Sequence, residues 1–91
     1  MSDIKSILAD RNKTHGEYGV HAGVTQCLKS VMRHTQNWGY LNPSQVEALE
    51  MISHKIGRIL CGDPKHEDHW LDLCGYAMLV VEELRKSKGH Q

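Results

Sequence analysis

The stretch NPSQVEALEMISHKIGRILCGDP, residues 42–64, carries the clearest helix signals in this chain. It opens with an asparagine followed by proline, the pair that caps a helix and occupies its first position. Apolar side chains then recur at three- and four-residue steps until Gly62, and Asp63-Pro64 repeats the cap-and-proline pair. The stretch predicts a helix from Pro43 to about Cys61 and a short turn into the next helix.

The same helical spacing continues on both sides, with no strand-type alternation, and it predicts an all-α protein. We expect a fourth helix over about 64–86, whose uncharged stretch 77–81 favours burial in the bundle centre or between subunits. Upstream, Thr14-His15-Gly16-Glu17 fits a capping box for a second helix over about 14–34. A short first helix spans about 3–11, and glycine breaks the segment 36–42. The expected fold is an antiparallel bundle of about four helices, one short and three long.

Length and charge limit the possible functions. The 91 residues form one domain, 1–91, with a frayed tail at 87–91. Lys plus Arg equals Asp plus Glu at 11 each, so the chain has no net positive field for duplex nucleic acid or an anionic membrane. No signal segment or membrane-spanning run is present, which predicts a cytoplasmic protein.

Cysteine usage and chain length add three further expectations. The three cysteines, Cys27, Cys61 and Cys74, are an odd number in apolar helical contexts, which favours reduced core thiols over disulfides. A chain of this size buries a modest core, so we expect a homo-oligomer, either a dimer or a tetramer. Zinc held by Cys61, His66, His69 and Cys74 is disfavoured, because the spacing is not a standard zinc arrangement.

Two polar stripes mark the candidate site. At 100° per residue, the third helix carries one apolar arc, which we expect to be its core face: Val46, Leu49, Ile52, Ile56, Ile59 and Leu60. Beside that arc runs a polar stripe of Glu47, Glu50, His54 and Arg58. The fourth helix carries a stripe of His69, Asp72 and Tyr76, with Asp68 alongside.

Antiparallel packing would bring these stripes face to face and gather oxygen ligands of the kind that Mg²⁺ or Mn²⁺ prefers. The predicted metal ligands are Glu47, Glu50, Asp68, His69 and Asp72. The alternative is that both stripes are ordinary solvated faces. A helix-turn-helix reading is disfavoured, because acidic residues at the start of the fourth helix would repel DNA phosphates.

The spacing of these residues resembles that of a known superfamily. Glu47-Ala-Leu-Glu50, eighteen further residues and His69-Trp-Leu-Asp72 resemble the paired helix motifs of the all-α, MazG-like nucleoside triphosphate pyrophosphatases. The whole chain also resembles a small phage and prophage family of unassigned function, which would place it in a host cytoplasm. The residues that carry this second resemblance are Lys13–Gly16, Asn37-Trp38, His54–Arg58, Gly62–Pro64 and Asp68–Asp72.

The superfamily resemblance implies a metal-dependent hydrolysis of an NTP or dNTP to the monophosphate and pyrophosphate. It implies that Glu47, Glu50 and Asp72 are catalytic and hold Mg²⁺ or Mn²⁺, with His69 or Asp68 completing the set. Either Trp38 or Tyr18 would stack on the base. The residues expected to bind phosphate or nucleotide are Lys13, His15, Trp38, His54, Lys55, Arg58 and Tyr76.

The chain departs from the superfamily motif at two positions. Val46 and His69 stand where the motif has glutamates, so the site has fewer negative charges to hold magnesium, and manganese would tolerate the imidazole better. This departure favours a second hypothesis, in which the same pocket binds or sequesters a nucleotide without turnover.

Overall fold

Four helices and one 3₁₀ turn make up the protein in the computed structural model, which describes residues 2–88. The helices are α1 (Ser2–His15), α2 (Tyr18–Arg33), α3 (Pro43–Cys61) and α4 (Glu67–Ser87), and the 3₁₀ turn is Trp38–Tyr40. No strand occurs in the described range, so the all-α prediction is confirmed. Of the predicted frayed tail, Ser87 still ends α4 and Lys88 follows it as the cap. Residues 89–91 lie outside the described range.

The helix α3 occupies the centre of the bundle and packs against each of the other three helices. Its start confirms the prediction from Asn42-Pro43. The Asn42 side chain accepts a 2.9 Å hydrogen bond from the Gln45 amide, and the Gln45 side chain accepts one of 2.9 Å from the Asn42 amide. This reciprocal pair satisfies donors that the first turn leaves free. The predicted end of the helix at Cys61, before Gly62, is also confirmed.

The buried positions of α3 differ from the predicted apolar arc. Ala48, Lys55 and Ile59 lie together on one side, and Ser53 and Gly57 lie about 160° away on the other. Each set faces a different neighbour, because Lys55 contacts α4 and Ser53 contacts α2. The prediction of one core face was therefore wrong, and a central helix with neighbours on two sides explains the difference. Leu60, predicted to be core, is 70% exposed.

The boundary between α1 and α2 was also predicted wrongly. Thr14 does not cap α2, because its hydroxyl contacts the Arg11 carbonyl at 3.3 Å and the His15 ring at 2.8 Å within α1. The helix α1 runs on to His15 and ends at Gly16, whose φ of +82° favours glycine. Glu17 then precedes α2 with no side-chain capping bond. The first helix is therefore longer than the predicted 3–11.

Two smaller expectations also fail. The helix α4 begins at Glu67 rather than at Pro64, because Asp63 caps a turn by accepting a 2.9 Å hydrogen bond from the Lys65 amide. The cysteines are not core thiols, since Cys27 and Cys74 are exposed and Cys61 is half-buried. All three are unbridged within the single chain.

The single chain is elongated and has a small apolar core. Its radius of gyration is 15.8 Å, whereas a compact domain of this length would have about 12 Å. Among the described residues, only Ala48 and Ile59 are buried hydrophobic side chains. Many large apolar side chains are therefore exposed, although no helix in the range 2–88 is long and apolar enough to cross a membrane.

Candidate functional site

A cavity of about 380 Å³ lies between α1, α2 and α3. Its polar lining consists of two arginines, three histidines, one tyrosine, one threonine and two amides: Arg11, Arg58, His15, His21, His54, Tyr18, Thr25, Asn12 and Gln26. No aspartate or glutamate lines it within the described part of the chain. The volume falls within the range of small-molecule sites. A cavity with this lining is suited to a small anion.

Close packing of α2 on α3 forms one wall of the cavity. Thr25 is fully buried, and its hydroxyl donates a 2.8 Å hydrogen bond to the His21 carbonyl one turn earlier. Gly57 allows this approach, since a Cβ there would lie 2.7 Å from the His21 ring. The His21 Nε2 is 3.0 Å from the His54 carbonyl oxygen and must donate to it, because a carbonyl only accepts. This bond fixes the His21 ring over α3.

Burial and the positive charges around His54 both disfavour its protonated form. Its Nε2 lies 3.1 Å from the Lys29 ammonium, which only donates, so this nitrogen is the acceptor and the ring proton sits on Nδ1. Burial, followed by the charge of Lys29 and then by His21, lowers the pKa of His54 below its ordinary value of 6.5. Lys29 does not line the cavity itself, but its ammonium contacts His54, which does.

His15 experiences the same kind of environment on the α1 side. Burial, followed by the charge of Arg58, lowers the pKa of His15 below 6.5, and His69 and Arg11 act in the same direction. Burial and neighbouring cations thus lower the pKa values of both histidines. An anion bound among Arg11, His15 and Arg58 would oppose this effect by favouring the protonated rings.

Hydrogen bonds and close packing connect the α1–α2 junction to the α3–α4 junction. The Thr14 carbonyl accepts two hydrogen bonds of 2.9 Å, one from the Asp63 amide and one from His69 Nε2. Gly16 packs so closely on the Cys61 carbonyl that a Cβ there would overlap it. His69 is only 2% exposed, and its ring centroid lies 5.0 Å from that of His15. These contacts hold the end of α1 at the rim of the cavity.

The five predicted metal ligands do not converge in the single chain. Asp72 Oδ2 lies 2.9 Å from the Nζ of buried Lys55, and that hydrogen bond, together with the Lys55 charge, lowers the pKa of the Asp72 carboxyl. Glu50 Oε2 lies 3.5 Å from Arg33 on α2. Glu47 lines a separate groove, beside Tyr76 of α4.

The remaining two predicted ligands lie at the start of α4. His69 Nε2 is engaged with Thr14, as described above, and Asp68 lies 4.0 Å from His66. Within residues 2–88, no group of three or more His, Cys, Asp or Glu side chains is placed to hold one ion. The polar stripe of α3 faces largely towards α2, because Glu50 and His54 pair with cations of that helix. The metal prediction remains untested by this geometry.

The structure brings together three of the seven residues expected to bind phosphate or nucleotide. His15, His54 and Arg58 line the cavity. The other four lie elsewhere: exposed Lys13 is 3.8 Å from Asp10, buried Lys55 pairs with Asp72, Trp38 lies in the 3₁₀ turn, and Tyr76 lines the second groove.

Sequence reasoning overlooked Arg11, Asn12, His21 and Gln26 as cavity residues, whereas it proposed Tyr18 for base stacking. The signal for Arg11 was present, because Arg11 and His15 are four residues apart and share one face of a helix. The misplaced capping box at Thr14 ended that helix too early and hid the pattern. His21 has no comparable signal, since its place in the cavity depends on the contact with Gly57.

The fold and the cavity define a small all-α domain with a cationic pocket. The chain belongs to the family described as a domain of unknown function (DUF6378), whose model matches residues 2–84. No curated protein matches the chain significantly, and no solved structure does so either.

Proposed function

We propose that this protein binds a phosphorylated small molecule of the nucleotide class in the cavity between α1, α2 and α3. The observation that carries the proposal is the lining itself, which combines Arg11, Arg58 and three histidines with no carboxylate among the described residues. Guanidinium groups are the preferred partners of phosphate oxygens, because their paired N–H groups match the phosphate geometry.

The rest of the lining fits the organic part of a nucleotide. Tyr18 lines the cavity and is 81% exposed, so one face of its ring is free to stack on a base. Asn12 and Gln26 supply amide donors and acceptors, which suit the edge of a base or a sugar hydroxyl. The combination of charged, aromatic and amide groups in the lining supports a nucleotide as the ligand.

Calorimetric titration with nucleoside mono-, di- and triphosphates tests the proposal. We expect Arg58→Gln to weaken the affinity at least about tenfold, because a hydrogen bond to a charged group contributes about 1.5–3 kcal/mol. Arg33→Gln is the matched control, since Arg33 lies outside the cavity and pairs with Glu50. Equal losses for both variants, or no heat with any nucleotide at millimolar concentration, would contradict the proposal.

A second measurement separates binding alone from the hydrolysis implied by the superfamily resemblance. Pyrophosphate release is followed with each triphosphate in the presence of Mg²⁺ or Mn²⁺, for wild type, Asp72→Asn and the exposed acidic control Glu82→Gln. Binding without release favours capture of the nucleotide. Release that is lost in Asp72→Asn and kept in Glu82→Gln favours hydrolysis with Asp72 as a ligand, after displacement of Lys55 from that carboxylate.

A further inference from the structure

The outer face of α4 is a continuous apolar surface that no other part of the described chain covers. At 100° per residue, its members fall within one arc of about 120°. They are Trp70, Leu71, Cys74, Ala77, Met78 and Val81, of which all but half-buried Val81 are exposed. Trp70, Leu71 and Met78 are 50–56% exposed. No charged residue interrupts this face between Asp72 and Glu82.

The exposed area of the chain is large for its mass and is sufficient for an interface with a partner. A compact monomer of this mass exposes about 5,400 Å², whereas the chain exposes 6796 Å². The excess of about 1,400 Å² is larger than the roughly 800 Å² that each partner buries in a standard protein interface. Every copy of the chain has the same excess of exposed area. A second copy is therefore a partner that is always available.

The charges at the two ends of this face complement each other. Glu67 lies on the same arc at the start of α4, and Arg85 and Lys88 lie on it at the end. Two copies of α4 packed antiparallel would place Glu67 of one chain against Lys88 of the other. The same register sets Arg85 over Trp70, whose Nε1 donates a 2.8 Å hydrogen bond to the Pro64 carbonyl and so fixes the ring.

We propose that the outer face of α4 pairs with the same face of a second copy, antiparallel, about a two-fold axis beside Ala77 and Met78. Such an interface is self-complementary, because each contact occurs twice about the axis. Cys74 then meets Val81 of the other copy. The cavity stays open in the dimer, since none of its lining residues belongs to α4.

Sedimentation velocity over a range of concentrations tests this interface. Wild type is expected to sediment as a dimer, and Met78→Asp to raise the dimer dissociation constant at least about tenfold, because it sets two carboxylates beside the axis in an apolar contact. Val31→Asp is the matched control, since Val31 is an exposed apolar residue on α2. A monomeric wild type, or dissociation caused by Val31→Asp and not by Met78→Asp, would overturn the proposal.

A charge exchange keeps the test decisive if Met78→Asp fails to fold. Glu67→Lys alone is expected to raise the dissociation constant about twofold to thirtyfold, because the two symmetry-related exposed ion pairs, each worth about 0.2–1 kcal/mol, are both lost. Adding Lys88→Glu should restore the wild-type constant, because the antiparallel register again sets opposite charges together. A further loss of affinity in the double variant would show that these two ends do not meet, and the antiparallel arrangement would be wrong.

Discussion

Replacing Gly57 with alanine tests the contact between α2 and α3 that shapes one wall of the cavity. The new Cβ would lie 2.7 Å from His21 Cδ2 and 3.3 Å from Thr25 Cγ2, so the His21 ring must move. Moving it breaks the 3.0 Å hydrogen bond from His21 Nε2 to the His54 carbonyl. Overpacking costs about 1–3 kcal/mol, whereas replacing a helix-interior glycine with alanine gains about 1 kcal/mol. We expect the free energy of unfolding to fall by up to about 2 kcal/mol.

Gly23→Ala is the matched control for this change. Gly23 lies inside α2, and no atom would lie within 4 Å of an added Cβ, so only the gain in helix propensity remains. We expect this variant to be more stable by about 1 kcal/mol. Urea unfolding followed by circular dichroism, at one fixed protein concentration, measures both values. The two variants should differ by about 1–3 kcal/mol.

A double variant isolates the His21 contact. In a His21→Ala background the obstructing ring is gone, so Gly57→Ala should recover most of the helix-propensity gain. If Gly57→Ala stabilises the wild-type protein as much as Gly23→Ala does, the close approach of α2 to α3 is wrong. The cavity wall built on that approach would then be wrong as well.

Three further outcomes follow from the junctions and the cavity. Gly16→Ala should lower the free energy of unfolding by at least about 2 kcal/mol, because the left-handed backbone costs about 1–2 kcal/mol and the Cβ overlaps the Cys61 carbonyl. Gly39→Ala, with open space around it, should change the stability by less than about 0.5 kcal/mol in the same urea assay. The folded protein should lose stability as the pH falls below 6.5, because the pKa values of His15 and His54 are lowered on folding and the unfolded chain takes up protons first. His54→Asn should flatten this loss in unfolding curves between pH 7 and 5, and an unchanged slope would remove His54 from the explanation. Inorganic phosphate should raise the pKa of both histidines in an NMR titration. Unchanged pKa values at every phosphate concentration would count against an anion in the cavity.

Local chemistry made most of the helices predictable. The cap at Asn42, the proline after it and the stop at Gly62 act within a few residues, so α3 is read correctly from its own sequence. The same reasoning failed at Thr14, where the sequence of a capping box competes with hydrogen bonds inside α1. Both alternatives use the same hydroxyl, and the packing of Gly16 on Cys61 selects between them.

The candidate site was predicted less well than the helices. Periodicity correctly placed Glu50, His54 and Arg58 on one stripe of α3, but it carries no information on which neighbour that stripe faces. The stripe was expected to face α4, and Glu50 and His54 instead pair with Arg33 and Lys29 of α2.

The sequence alone determined the all-α class, the position of α3, the balanced charge and the uncharged surface of α4, because each depends on composition or on neighbours within one helical turn. The folded structure was needed to show that Lys55 pairs with Asp72 and that Arg11, His15, His21 and Arg58 share one cavity. Those arrangements depend on how three helices cross. The crossing is set by contacts between residues far apart in the chain, such as His21 with Gly57 and Thr14 with His69.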